Sequence, residues 1–430
     1  MSMIDGDQKG QHQKLKDTLA KARRSATTNT LDAMRFLNEA SESYPNAVSL
    51  AAGRPPDHLL STELCHYWLD KYVSLRGDDA AAGWATIGQY GNTSGVITDL
   101  VAKHLRTQEG VEVDAADCVV TNGFQEAVLI ELLNLRRAGG GVIAMEPTYV
   151  GLAGAAEAAG VPLFTFPATE APGAMLAATA ARARSTGLDR LAFYVIPDFA
   201  NPTGVCLTVE ARKELLDVAD RHRITIWEDA AYRIFRYHSE EIPTLLSLDD
   251  IGNVVHLGTF SKTFLPGVRV GFSVTRRTGA TWRTRTEVVS TKSFVSVNTS
   301  PISQAIVGGF LADVDFNLRD WNAPRVTFCK ENRDVLLKAL ASEFRDVSGV
   351  VWSRPEGGFF VVVSLPFDFD ERDLECAARD YGVIVVPMTF FSPTGGYRSM
   401  VRLSFSNTPP EQIPIAVNRL ARYVRDQCAR

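Results

Sequence analysis

One lysine of this chain stands where an amine can do covalent work. The segment Thr259-Phe260-Ser261-Lys262-Thr263 follows directly on the apolar run Val254 to Leu257, and Arg269 comes seven positions after the lysine. Open α/β sheets bind ligands in the loops beyond their strand ends. A buried amine there can form a Schiff base with a carbonyl cofactor, while Thr259, Ser261 and Arg269 offer donors to a phosphate. A solvated surface lysine is the plainer alternative. Asp229 and, three residues on, Tyr232 follow the run Ile224 to Trp227. A carboxylate placed there can keep a pyridine nitrogen protonated, with the phenol on a ring oxygen; a helix-start Asp and a half-buried Tyr would look the same. Asn201-Pro202-Thr203-Gly204, after the run Leu191 to Ile196, is an ordinary turn sequence that also brings an amide toward the same ring. Gly123-Phe124-Gln125 opens a helix, and backbone N–H groups at a helix start are a ready anion site. Tyr149, at the end of Glu146-Pro147-Thr148-Tyr149, can stack on a ring or simply pack.

The elements that must carry these residues alternate between apolar strands and helices. Strands are expected at Cys118 to Thr121, Val142 to Met145, Leu191 to Ile196, Ile224 to Trp227 and Val254 to Leu257. Between them, Gln125 to Arg137 reads as a buried helix stopped by Gly139-Gly140-Gly141, and Thr208 is placed to cap a helix running to about His222. Alternation of this kind means an α/β domain with a mostly parallel sheet. After about residue 310 the rhythm changes. A helix from near Pro324 to Phe344, strands Val350 to Ser353, Gly358 to Leu365, Val383 to Pro387 and Met400 to Phe405, and a last helix make an α+β unit. Residues 1–29 are polar and poor in large apolar side chains, and read as a mobile arm; Leu31 to Asn38 starts a short amphipathic element.

Composition excludes several classes of function. The chain has 430 residues, enough for two or three domains at roughly 150 residues each. Its 45 basic and 50 acidic residues give a net charge of −5, so nothing draws it to nucleic acid or an anionic membrane. The cysteines at 65, 118, 206, 329, 376 and 428 form no CxxC pair and read as reduced thiols of the cytoplasm. The seven histidines show no HxH or HExxH spacing, so no metal site is expected. No apolar run approaches the roughly 20 residues of a membrane span, and the first residues show no signal peptide.

Taken in order, these clusters resemble the fold-type I pyridoxal-phosphate enzymes, and among them the class I/II aminotransferases, from about Ser49 to Val424. The marks are AAGRPP at 51–56, QYGNTSG at 89–95, TNGFQEA at 121–127, EPTYVG at 146–151, NPTG at 201–204, EDAAY at 228–232, TFSKTFLPGVRVGF at 259–272, PEGGFF at 355–360 and VRLSFSN at 401–407. The resemblance implies pyridoxal 5'-phosphate on Lys262 as a Schiff base, Asp229 at the pyridine nitrogen, and Asn201 with Tyr232 at the ring hydroxyl. It implies a phosphate held by Gly123, Phe124, Gln125, Thr259, Ser261 and Arg269, with Tyr149 stacked on the ring. Arg402, with Gly53 and Asn201 beside it, would take the substrate carboxylate, and Tyr90 would reach the phosphate of a neighbouring subunit in a homodimer. The implied fold is a large domain over 61–310, with a mostly parallel seven-stranded sheet flanked by helices. A smaller α+β domain over 311–430 would be completed by the N-terminal segment 30–60.

The implied reaction moves an amino group from an amino acid to a 2-oxo acid. Departures cluster on the substrate side: Arg54 follows Gly53, Met388 stands where relatives usually have Gly, and an aromatic loop runs from Phe390 to Gly396. They leave open a non-transaminating reaction of specialised biosynthesis on the same cofactor, such as elimination, replacement, cyclisation or carbon–carbon bond formation. A third class, transcription regulators with an aminotransferase-like domain, would need a helix-turn-helix or a concentrated basic face before Ser49, and neither is recognisable there.

Overall fold

Seven strands form the larger sheet: β2 (Cys118–Thr121), β3 (Gly141–Glu146), β4 (Leu163–Pro167), β5 (Leu191–Val195), β6 (Ile224–Asp229), β7 (Val254–Thr259) and β8 (Gly271–Val274). They follow a short strand β1 (Val48–Ser49) and lie in the order β2-β8-β7-β6-β5-β3-β4. These features belong to a computed structural model that describes residues 33, 39, 42–56, 62–77, 80–168, 172–238, 241–276 and 285–429. The segment 1–29 and nearly all of 31–38 lie outside the described residues. Within the sheet only β8 runs against its neighbours, pairing antiparallel with β2 and β7. All other pairs are parallel, so the carboxyl ends of β2, β3, β5, β6 and β7 share one edge. Strand side chains alternate between two cores, as a period of two requires. Val142, Ala192, Tyr194, Trp227 and Leu257 join one cluster. Ile143, Phe193, Val195, Ile226 and Val254 join the other, on the opposite face.

Local sequence explains the helices that flank the sheet. Thr208 caps the helix Val209–Arg221 by accepting from the Ala211 amide at 3.2 Å, and His222 closes it. The helix Gly123–Arg137 buries Val128, Ile130, Leu132 and Leu135 and gives way to Gly139 in the left-handed region. Two strands escape the pattern read from sequence. These are β4 and β8, and β8 follows straight on the segment of polar and turn residues that holds Lys262 and Arg269.

The second sheet has the order β12-β13-β10-β9, with β9 (Val351–Trp352), β10 (Phe360–Ser364), β12 (Val386–Pro387) and β13 (Met400–Ser404), all antiparallel. The expected strand from Val383 to Pro387 is divided. Its first half, β11 (Val383–Ile384), leaves this sheet and pairs in parallel with β1. That pairing, with a Ser404 amide bond to the Leu50 carbonyl at 2.7 Å, ties the N-terminal segment to the C-terminal unit. The long helix starts at Arg319 rather than near Pro324 and ends at Glu343. The expected division at residue 310 falls inside the helix Pro301–Asp313, which packs on Thr62–Leu75. Leu340, Val361, Val363, Leu403 and Val417 of this unit share a core with one face of the larger sheet. The site therefore forms where that sheet's carboxyl edge meets β10 and β13.

Candidate active site

A cavity of about 240 Å³ opens at this edge and gathers nearly every residue expected from the sequence. Gly53, Phe124, Gln125, Tyr149, Asn201, Asp229, Tyr232, Thr259, Ser261, Lys262, Arg269 and Arg402 line it, with Arg54 and Phe360. Lys262 directs its amine to the Gly53 carbonyl at 2.7 Å and lies over the Tyr232 ring at 5.9 Å. Burial, followed by the charge of Arg402, pulls its pKa down to about 8, against the opposing pull of Asp229. Asp229 ends β6, fully inside the protein. Burial pushes its pKa up to about 6, although Tyr194 and the Ala231 amide both donate to the carboxylate. Near neutral pH the Lys262 amine therefore loses its proton more readily than an ordinary lysine does.

Beside them lies a cradle for an anion. Ser261 Oγ accepts from Arg269 at 3.1 Å, and the Ser261 amide donates to Thr259 Oγ1 at 3.1 Å. The helix Gly123–Arg137 points its first N–H groups here, and the Asn122 side chain does not cap them. Gly123 adopts φ +71°, and a Cβ on it would run into the Arg269 guanidinium. A Cβ on Gly271 would lie 2.7 Å from the Gly123 carbonyl carbon and 2.9 Å from the Phe124 amide nitrogen. Both positions keep backbone donors and guanidinium close, as a phosphate requires. Tyr149 flanks the cradle, its hydroxyl 3.3 Å from Gln125 Oε1.

Arg402 faces the cavity from β13. It donates to Asn201 Oδ1 at 2.7 Å and to the Ala51 carbonyl at 2.6 Å, with the rings of Phe360 and Phe391 at 4.3 and 4.7 Å. Burial lowers its pKa to about 10. Its Nε has no hydrogen-bond partner among the described residues. A buried, preoriented guanidinium with donor capacity left over suits a carboxylate. Two expected residues stand apart. Gly123 supports Arg269 without lining the cavity, and Tyr90 is 85% exposed and away from it. Sequence reasoning passed over Tyr194, which the alternation of β5 puts on the same face as Trp227, and over Phe360 as a cavity wall.

An amine for a carbonyl, an acid for a ring nitrogen and an anion cradle together fit a cofactor with an aldehyde, a pyridine ring and a phosphate. The class is thus defined as a pyridoxal-phosphate enzyme. Comparison with known proteins narrows it: the family described as "Aminotransferase class I and II" matches residues 70–420, and the chain belongs to that family. It is 40% identical over 407 residues to an (S)-3,5-dihydroxyphenylglycine transaminase of Amycolatopsis orientalis, covering 92% of each chain. It is 28% identical over 388 residues to aromatic-amino-acid aminotransferase 1 of Thermococcus litoralis, covering 89% of each. Among solved structures, a multiple substrate aminotransferase from Thermococcus profundus superposes with a TM-score of 0.79 at 26% identity, over 92% of this chain and 95% of that one. The protein is a pyridoxal-phosphate-dependent aminotransferase acting on an amino acid and a 2-oxo acid. Elimination and the other non-transaminating reactions have no support in these relatives.

Proposed function

We propose that Lys262 carries the cofactor, that Arg402 binds the substrate α-carboxylate, and that the amino donor bears an aryl side chain. The observation that carries the reading is the convergence of Lys262 and Arg402 on one cavity. When bound, pyridoxal phosphate supplies the electron sink for chemistry at Cα. Arg402, held by Asn201 and Ala51, grips the carboxylate and so orients the Cα–H bond toward Lys262. With its pKa near 8, the Lys262 amine takes and returns that proton as general base and acid. Asp229 holds the proton on the ring nitrogen, Asn201 and Tyr232 serve the ring oxygen, and Tyr149 flanks the ring. Phe124, Gln125, Thr259, Ser261 and Arg269 hold the phosphate. The aryl preference rests on the aromatic walls Phe124, Tyr149 and Phe360, and on the aromatic substrates named for two of the relatives. The test is one turnover of holoenzyme with single amino acids and no 2-oxo acid. Arylglycines or phenylalanine-type donors should yield 2-oxo acid equal in amount to the enzyme. Reaction of acidic donors alone overturns the aryl assignment, and catalytic consumption of a donor without any acceptor overturns the role of Lys262 and Arg402 in transamination.

The same reading includes a homodimer in the cytoplasm. Phe294 is 93% exposed, and Trp84, Tyr90, Val297 and Ile302 are exposed large apolar side chains. A Cβ on Gly91 would touch Pro301 and Asn298, which puts the Tyr90 loop beside this patch. Apolar surface of this kind is usually covered by a partner. No helix among the described residues is long and apolar enough to cross a membrane.

A further inference from the structure

Glu146 ends β3, is buried, and takes no part in the chemistry above. Its Oε1 accepts from Thr394 Oγ1 at 2.7 Å, from the Thr394 amide at 3.2 Å and from Ser392 Oγ. Its Oε2 accepts from Thr165 Oγ1 at 2.6 Å, and its backbone carbonyl accepts from Tyr397 Oη at 2.7 Å. Burial opposes the charge, yet the bonds from Ser392, Thr165 and Thr394 outweigh it and hold the carboxyl below its ordinary pKa. One anion thus fastens the aromatic loop 388–397 to the sheet. A second tie lies next to it, where the Thr148 amide donates to the Phe391 carbonyl at 2.9 Å. The turn that leads to Tyr149 and the loop that carries Phe391 are therefore joined at their base.

Phe391 is one of the two rings that face the Arg402 guanidinium. Among the described residues Arg402 donates only to Asn201 Oδ1 and the Ala51 carbonyl, so the plane of its fork depends on those rings as well. A bidentate grip on a carboxylate needs that plane fixed. We propose that Glu146 is a positioning residue for substrate binding: through Ser392 and Thr394 it holds Phe391 against Arg402 and so sets the carboxylate clamp. The proposal rests on Arg402 as the carboxylate ligand.

Kinetics and hydrogen exchange of three variants test it on the holoenzyme. Glu146→Gln removes the charge and turns one of the two acceptor oxygens into an NH2 donor, so either Thr165 or the Ser392–Thr394 pair loses its acceptor. KM for the amino donor should rise roughly tenfold, the scale of a lost charged hydrogen bond, with kcat changed by less than about twofold. Amide hydrogen exchange should quicken in residues 390–397 and stay unchanged around Lys262. Thr394→Val, at an exposed position that tolerates the change, should move KM and the local exchange the same way by less. Arg402→Lys in the same assay separates the two readings. If it leaves KM unchanged, the clamp assignment fails and the proposal with it. If it raises KM while Glu146→Gln and Thr394→Val loosen the loop without touching KM, the proposal alone is overturned. Faster exchange throughout the chain, with kcat falling as KM rises, also overturns it, because Glu146 would then be a general stabiliser.

Discussion

Tyr194 Oη donates to Asp229 Oδ2 at 2.6 Å across two neighbouring strands, leaving Oδ1 to the Ala231 amide at 3.0 Å. Tyr194 is paired in register with Trp227, two residues before Asp229, so its ring reaches along the sheet to the end of β6. The bond favours the charged carboxylate against the burial that disfavours it. Tyr194→Phe should therefore push the Asp229 pKa above its present value of about 6 and deplete the anion proposed to pair with a protonated pyridine nitrogen. Cofactor affinity of the apoprotein, measured by titration, should weaken severalfold near pH 6.5 and much less near pH 8.5, where the carboxylate is ionised either way. Equal weakening at both pH values would show that Tyr194 acts through packing alone.

Lys262 titrates in the range where its reactivity can be followed. Its pKa is lowered to about 8, so the amine is mostly neutral above that pH and mostly protonated below it. Only the neutral amine attacks an aldehyde. Covalent capture of pyridoxal phosphate by apoprotein should accelerate as pH rises through about 8 and then level off. Arg402→Gln removes the second cause of the lowering, so the midpoint should move upward. A rate independent of pH across this range would contradict both expectations.

Asp229 makes a prediction of opposite sign for stability. An acid whose folded pKa is raised contributes stability below its unfolded value, and that stability is lost as pH rises through the folded value of about 6. At pH 8 the cofactor-free protein thus carries a penalty on the order of 2–3 kcal/mol, an upper bound, that an amide would not. Asp229→Asn apoprotein should resist urea better than the parent at pH 8, and the advantage should vanish near pH 4. Added cofactor should reverse the ranking, because it binds the parent more tightly. A variant less stable than the parent at pH 8 without cofactor would show that the carboxylate is needed by the fold itself.

What could be read from the sequence was whatever lay within a few residues of a strand end. Lys262, Asp229 and Asn201 each follow an apolar run, and Thr208 caps its helix as its side chain predicts. Contacts between distant segments left no local trace. Glu146 and Ser392 meet across 246 positions, and Arg402 meets Asn201 across 201. The family resemblance gave Arg402 a role; it included Glu146 in EPTYVG but gave that residue none. The start of the long helix was misplaced because Pro324 looks like a first-turn residue, whereas the turn Arg319 to Ala323 already precedes it inside the helix. β8 was hidden because its strand follows a stretch dense in polar and turn residues.

The exposed Tyr90 supplies the test of a shared site. On its own chain the ring stands away from the cavity, so a role at the phosphate requires a second copy. A homodimer that exchanges this residue would build each site from the Arg269 of one subunit and the Tyr90 of the other. Tyr90→Phe and Arg269→Ala should each weaken cofactor binding in both sites of a pure dimer. Mixing the two variants, unfolding and refolding them together gives heterodimers as about half of the molecules. In each heterodimer one site has an intact Arg269 and an intact Tyr90, while the other site carries both lesions. Activity at limiting cofactor should therefore recover to about a quarter of the parent, well above either variant alone. Phe294→Glu, placed in the same exposed patch, should yield monomers by light scattering and lose this recovery. Heterodimers that form and show no recovery would place Tyr90 outside the site altogether, with the patch serving assembly only.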